Sequence, residues 1–102
     1  MLPRNRISTH PGEILKEEFL EPLGVTQSEF ATHIGVPFQR INEIVNGKRG
    51  ITPETAWLFA DAFGTTAEFW MGLQASHDLT RHRAARRVSR LAPVSHRVAK
   101  AG

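Results

Sequence analysis

The stretch VTQSEFATHIGVPFQRINEIVNGKR, residues 25–49, decides how this chain folds. Phe30, Ala31 and Ile34 recur at helical spacing, Gly35-Val36-Pro37 breaks the pattern, and Ile41, Ile44 and Val45 resume it. The reading is helix, tight turn, second helix. Thr26 and Glu29 have the spacing of a capping box, in which each side chain satisfies the other's backbone amide, and Val25 and Phe30 flank it as a hydrophobic staple. Burying Ile41, Ile44 and Val45 turns Phe38, Gln39, Arg40, Asn42, Glu43 and Asn46 outward.

A helix about 10–12 Å across fits the major groove of B-DNA, and Gln, Asn and Arg are the side chains that pair bidentately with adenine or guanine edges. The pair is therefore read as a helix-turn-helix, the competing reading being a helical hairpin whose polar face is merely wet. Lys48 and Arg49 follow the second helix immediately; there they either offset its dipole or reach phosphates beside the groove.

The 102 residues match one domain, and 40% hydrophobic with 23% charged is an ordinary globular balance. No apolar run approaches the roughly 18–20 residues that cross a bilayer, and MLPRNRISTH lacks the apolar segment of a secretory signal, so a cytoplasmic protein is expected. Without cysteine there is no disulfide framework, and His10, His33, His77, His82 and His96 show no metal-binding spacing, so neither metal nor cofactor is expected. The net charge of +3 hides a division: residues 1–80 hold six Lys/Arg against ten Asp/Glu, whereas residues 81–102 hold seven Lys/Arg and no acid.

Around the central pair, Ile14, Leu15, Phe19 and Leu23 predict a first helix with Glu17, Glu18 and Glu21 on its wet face, stopping near Pro22 and Gly24. Pro37 stands where a capping Ser or Thr is more usual, leaving one helix-end amide in need of another partner. Thr52-Pro53-Glu54 starts a fourth, nearly continuous apolar helix ending at Gly64. Thr65-Thr66-Ala67-Glu68 starts a fifth, with Phe69, Trp70, Leu73 and Leu79 as its apolar area. Of Trp57, Phe63, Phe69 and Trp70, most should fill the core and one or two could face a partner subunit. In the basic tail, Ala84, Val88 and Leu91 keep a helical spacing before Pro93, so the fifth helix is expected to extend and then fray; its arginines suit solvent, phosphate backbone or an acidic protein.

Three segments, HPGEIL near the start, NGKRGITPETA after the second motif helix and GTTAEFWMGLQASHDL, make the chain from about His10 to Leu79 resemble the HigA-type antitoxins of bacterial toxin–antitoxin modules, within the Xre/Cro-repressor group. The EFW-x-x-LQ-x-x-x-DL run is the most specific. The resemblance implies an all-α fold: a five-helix, lambda-repressor-like helix-turn-helix domain over residues 1–80, its motif at about 26–46; the charge division, and not the resemblance, marks residues 81–102 as a basic C-terminal tail that is partly helical or disordered. The resemblance also implies a homodimer on double-stranded DNA at a palindromic operator, autoregulation, and a partner toxin that is a small RelE-like ribonuclease. Base reading carries over onto Phe38, Gln39, Arg40, Asn42 and Glu43, and phosphate contact onto Gln27. Nothing carries over to the tail.

The function expected is thus a DNA-binding antitoxin that represses its own operon and neutralises a toxin, with Lys48 and Arg49 joining Gln27 on phosphates. The alternatives are a free-standing repressor of the same fold and a toxin-masking protein with little DNA binding. An enzyme is not expected, because there is no Gly-rich phosphate loop, no cysteine, and no Ser/His/Asp or paired-carboxylate arrangement beyond chance spacing.

Overall fold

The start signals of the sequence turn into capped helices. The computed structural model describes residues 6–93, and among them the chain is all-helical. The first residues of the expected domain, 1–5, and the end of the expected tail, 94–102 with His96, lie outside the described residues. Helix α1 begins at Pro11–Ile14, passes through a π-helical stretch, Leu15–Leu20, and ends at Glu21–Leu23. Then come α2 (Gln27–Ile34), α3 (Phe38–Val45), α4 (Pro53–Phe63) and α5 (Ala67–Arg81). These are the five helices of the sequence reading.

The capping box is present in both directions: Thr26 N donates to Glu29 Oε1 at 2.9 Å and Glu29 N to Thr26 Oγ1 at 3.0 Å. The Glu29 carboxyl is held below its ordinary pKa by the hydrogen bond from the Thr26 amide. Thr52 and Thr66 cap α4 and α5 in the same way, accepting from Thr55 N and Phe69 N. At Pro37 no side chain caps α3; instead the Arg40 amide turns back to the Pro37 carbonyl at 3.0 Å, which supplies the missing partner.

Pro22 does not stop α1 one residue early, as its effect on Glu21 suggested; Glu21 is helical. The π-helical stretch explains this, because the Glu21 amide bonds back to Lys16, five residues away, and the widened turn relieves the clash a proline ring makes with the preceding turn. The helix then ends at Gly24, whose φ of 67° only glycine adopts cheaply. Leu23, expected to be apolar core of α1, is exposed instead and rims a shallow hollow with Val25, Phe30, Ala62 and Phe63.

Trp70 occupies the centre of the core, fully buried, with Phe59 5.0 Å and Phe19 5.2 Å away between ring centroids. Its indole Nε1 donates to Thr65 Oγ1 at 2.7 Å, so the polar end of this large side chain is satisfied. Leu15, Leu20, Phe30, Ile41, Ile44 and Ala56 close around these rings. Trp57, by contrast, is 63% exposed and Phe69 41%, so these two of the four clustered aromatics are the ones the core leaves partly outside.

The tail departs from expectation at its start. Helix α5 ends at Arg81, and residues 82–93 are exposed and non-helical despite the spacing of Ala84, Val88 and Leu91. Arg83, Arg86, Arg87 and Arg90 fall three and four residues apart with no acid among them, an arrangement that repels itself in a helix, and Val88 and Leu91 have no surface to pack on.

One contact sets the seat of α3. Gly12, in the first turn of α1, lies so close beneath it that a Cβ there would stand 1.7 Å from the Ile44 carbonyl oxygen and 2.9 Å from the Val45 Cα. Both are backbone atoms, so the clash is not relieved by a rotamer change. Gly12→Ala is expected to destabilise the fold by about 1–3 kcal/mol or more, read as a lower midpoint in urea unfolding at unchanged slope; an unchanged midpoint would show that α1 can slide away from α3.

Candidate nucleic-acid interface

Burial of Ile41 and Ile44 decides which side of α3 is presented. Phe38, 49% exposed, and Gln39 stand at its N-terminal end, Arg40, Asn42 and Glu43 are half-buried along its flanks, and Asn46, Lys48 and Arg49 are exposed at its far end. The eight residues singled out for bases and phosphates therefore lie on or beside one helix face, Gln27 joining them from the start of α2.

Most of these side chains already have partners within the chain. Asn42 Nδ2 donates to Gln27 Oε1 at 3.0 Å, which ties the two helices of the motif to each other, and Asn42 Oδ1 accepts from Asn46 Nδ2 at 3.2 Å. Gln39 Nε2 donates to Glu43 Oε2 at 3.3 Å, and Arg49 Nε donates to Glu43 Oε1 at 2.8 Å. The hydrogen bond from Arg49 is the main reason the Glu43 carboxyl lies below its ordinary pKa. Arg40 reaches Glu54, at the start of α4, across 3.7 Å.

These bonds are of the kind that solvent or a ligand can replace. The Arg40 and Glu54 side chains are 34% and 77% exposed, and a surface pair of that type contributes about 0–1 kcal/mol, less than the roughly 1–3 kcal/mol of discrimination from a good bidentate base contact. Arg40 and Arg49 also line a small cleft of about 180 Å³ with Gly50, Thr52, Glu54 and Thr55, so the two guanidiniums flank the N-terminus of α4.

Comparison with known proteins places this geometry. A sequence model described as helix-turn-helix matches residues 16–70, more than half of the chain. The chain belongs to the helix-turn-helix family. Within it, the chain is 46% identical over 70 residues to virulence-associated protein I of Dichelobacter nodosus, covering 69% of this chain and 65% of that protein. It is 42% identical to antitoxin HigA-1 of Vibrio cholerae over 74 residues, or 71% of this chain and 70% of that one. Among solved structures, the Pseudomonas aeruginosa antitoxin HigA with the higBA promoter superimposes with a TM-score of 0.71 at 36% identity, covering 72% of this chain and 80% of the other. The HigA resemblance read from the sequence is thereby supported on both sequence and structure.

Several residues that hold this helix-turn-helix in place were not foreseen. Gln74, buried in α5, accepts from the Ile51 amide at 2.7 Å and donates to Asp78 Oδ1 at 2.9 Å. It thus fixes the loop that begins with Lys48 and Arg49, and Gly50 leaves it room: a Cβ at Gly50 would stand 3.0 Å from the Gln74 amide oxygen. Gly12, Gln74 and Asp78 lie within the HPGEIL and LQASHDL segments, whose role in the sequence was only to mark a resemblance. The signal was there as a pattern without a contact attached to it.

His10 belongs to the same group. Its Nδ1 accepts from the Gly12 amide at 2.8 Å and caps α1, while its ring meets the His77 ring edge-on at 4.8 Å between centroids. His77 Nδ1 in turn donates to the Ser8 carbonyl at 2.8 Å. Partial burial, and then the neighbouring His77, push the His10 pKa below its ordinary value of 6.5, against the pull of Asp78 and Glu13. Protonating Nδ1 would also abolish the cap. Because the folded chain binds this proton more weakly than the unfolded chain, the unfolded state gains protons first as pH falls through 6.5, and stability present above that value is lost below it. His10→Asn, which keeps a capping oxygen but does not titrate, should flatten the decline in urea midpoint between neutral and mildly acidic pH; parallel curves for the two proteins would remove His10 as its source.

Proposed function

We propose that this chain is a HigA-type antitoxin: a homodimeric repressor that binds a palindromic operator in its own promoter through α3 and neutralises a small RelE-like ribonuclease encoded beside it. The observation that carries this reading is the seat of α3, whose apolar side is buried against α1 and α2 while Gln39, Arg40 and Asn42 face outward, together with its likeness to a HigA antitoxin solved with promoter DNA. Base reading is assigned to the helix-turn-helix domain of residues 1–80. No helix among the described residues is long and apolar enough to cross a membrane, which fits a protein working on cytoplasmic DNA.

In this reading α3 enters the major groove. Gln39 and Arg40 exchange their intramolecular partners for base edges, Phe38 meets a thymine methyl, and Asn42 has one amide hydrogen left for a base while it holds Gln27. Gln27, Lys48 and Arg49 settle on phosphates and set the register. Glu43 belongs to the same face, with its carboxylate engaged by Arg49 and Gln39; it orients those two donors and accepts from cytosine only by releasing one. The second subunit supplies the other half-site, roughly 34 Å along the duplex. Trp57, the most exposed aromatic, suits the contact between subunits.

Binding titrations separate these roles. Arg40→Ala should weaken operator binding by about 1–3 kcal/mol and relax preference at one base position, whereas Lys48→Ala should weaken all sequences alike and lower the salt slope by about one unit. An equal loss on operator and random DNA for Arg40→Ala would refute its reading role. For the partner, co-expression with the adjacent gene should yield a stable complex and suppress the growth arrest that gene causes alone; a neighbour that is harmless by itself would favour a free-standing repressor.

A further inference from the structure

The proposed DNA contact leaves an electrostatic deficit. Residues 1–80 carry more acid than base, and on the presented face Arg49 is bonded to Glu43 and Arg40 is paired with Glu54. Affinity for a duplex comes largely from cations that displace condensed counterions from phosphates, and this helical body offers few of them.

The missing charge is held at one edge of the same surface. The last turns of α5 run beside the loop that follows α3. Gln74 binds the Ile51 amide, the His10 ring lies between His77 and Gly47, and Thr80 Oγ1 accepts from Ser8 N at 2.8 Å. Arg81, one residue on, is where the helix ends. The chain thus leaves the body at the side that carries Lys48 and Arg49, and from there residues 82–93 continue exposed and non-helical. Between residues 81 and 93 stand Arg81, Arg83, Arg86, Arg87 and Arg90, with no acid. Twelve residues extend about 40 Å at roughly 3.3–3.6 Å each, enough to span about one helical turn, roughly 34 Å, measured along the duplex axis.

Resting on the DNA-binding reading above, we propose that this arginine segment is a sequence-independent arm that lies along the phosphates flanking each half-site. It supplies counterion release while α3 supplies base preference. DNA is favoured over an acidic protein because the segment starts beside the DNA-facing loop and because its arginines are distributed along an exposed, unstructured path. They are not gathered on a folded surface to which one protein could dock.

The test compares the full chain with its R86Q/R87Q/R90Q variant. These residues are exposed beyond the last helix, so the fold should survive, as circular dichroism would verify. Affinity is measured against salt on two duplexes, one from the chain's own promoter and one of random sequence. The variant should bind both more weakly by the same factor, keep the preference for the promoter, and show a salt slope smaller by about 2–3 units. An unchanged slope overturns the arm, and if the full chain still prefers its promoter, the reading role of α3 survives that failure. A full chain that binds neither duplex overturns both. A variant that keeps the full slope on DNA but loses binding to poly-glutamate overturns the arm in favour of an acidic protein partner.

Discussion

The floor beneath α3 is what everything else on this protein's working face depends on. Ile41 and Ile44 are completely buried, and Gly12 brings the backbone of α1 against the Ile44 carbonyl with no side chain between them. A helix held at two successive inward positions cannot rotate about its axis without exposing one of them, and successive residues point about 100° apart. The burial of two aliphatic side chains therefore fixes the direction of Gln39, Arg40 and Asn42. Gln74 does the equivalent for the loop that follows, through a bond to a backbone amide that would otherwise be buried without a partner.

The polar face above that floor is internally bonded before any ligand arrives. Gln27 holds Asn42, Glu43 holds Gln39 and Arg49, and Glu54 faces Arg40. Such bonds keep long side chains from sampling every rotamer, which lowers the entropy lost when they meet a base. They also set a threshold in the proposed mechanism. A base edge that offers two well-placed acceptors outbids a surface carboxylate, whereas one that offers a single poor acceptor leaves the internal bond in place.

Charge is divided along the chain in a way that folding alone does not require. The helical body needs its acids at helix starts, where Glu29, Glu54 and Glu68 sit in first turns and suit the dipole. That placement makes the body acidic overall, a poor partner for a polyanion. The arginine segment past Arg81 carries the opposite balance and is kept outside the core by the same property: four like charges at helical spacing and no buried face to gain.

Much of the fold was legible in the sequence because its signals are local. Thr26 with Glu29, Thr52 with Pro53, and Thr66 announce helix starts within four residues, Gly24, Gly35 and Gly64 announce ends, and the spacing of Ile41, Ile44 and Val45 names the buried side of α3. Local spacing fails where the surface it needs is missing. Leu23 has the right period yet lies beyond the edge of the core, and Val88 and Leu91 have it with nothing to pack against. The sequence by itself determined the five helices, the helix-turn-helix and the set of polar side chains offered by its second helix, since these follow from periods and caps within one or two turns. Only the tertiary structure decided that Gly12 must be bare beneath Ile44, that Gln74 holds the Ile51 amide, and that Glu54 and Gln27 occupy Arg40 and Asn42. Each of these pairs residues 14 to 32 positions apart, a relation that no local spacing encodes.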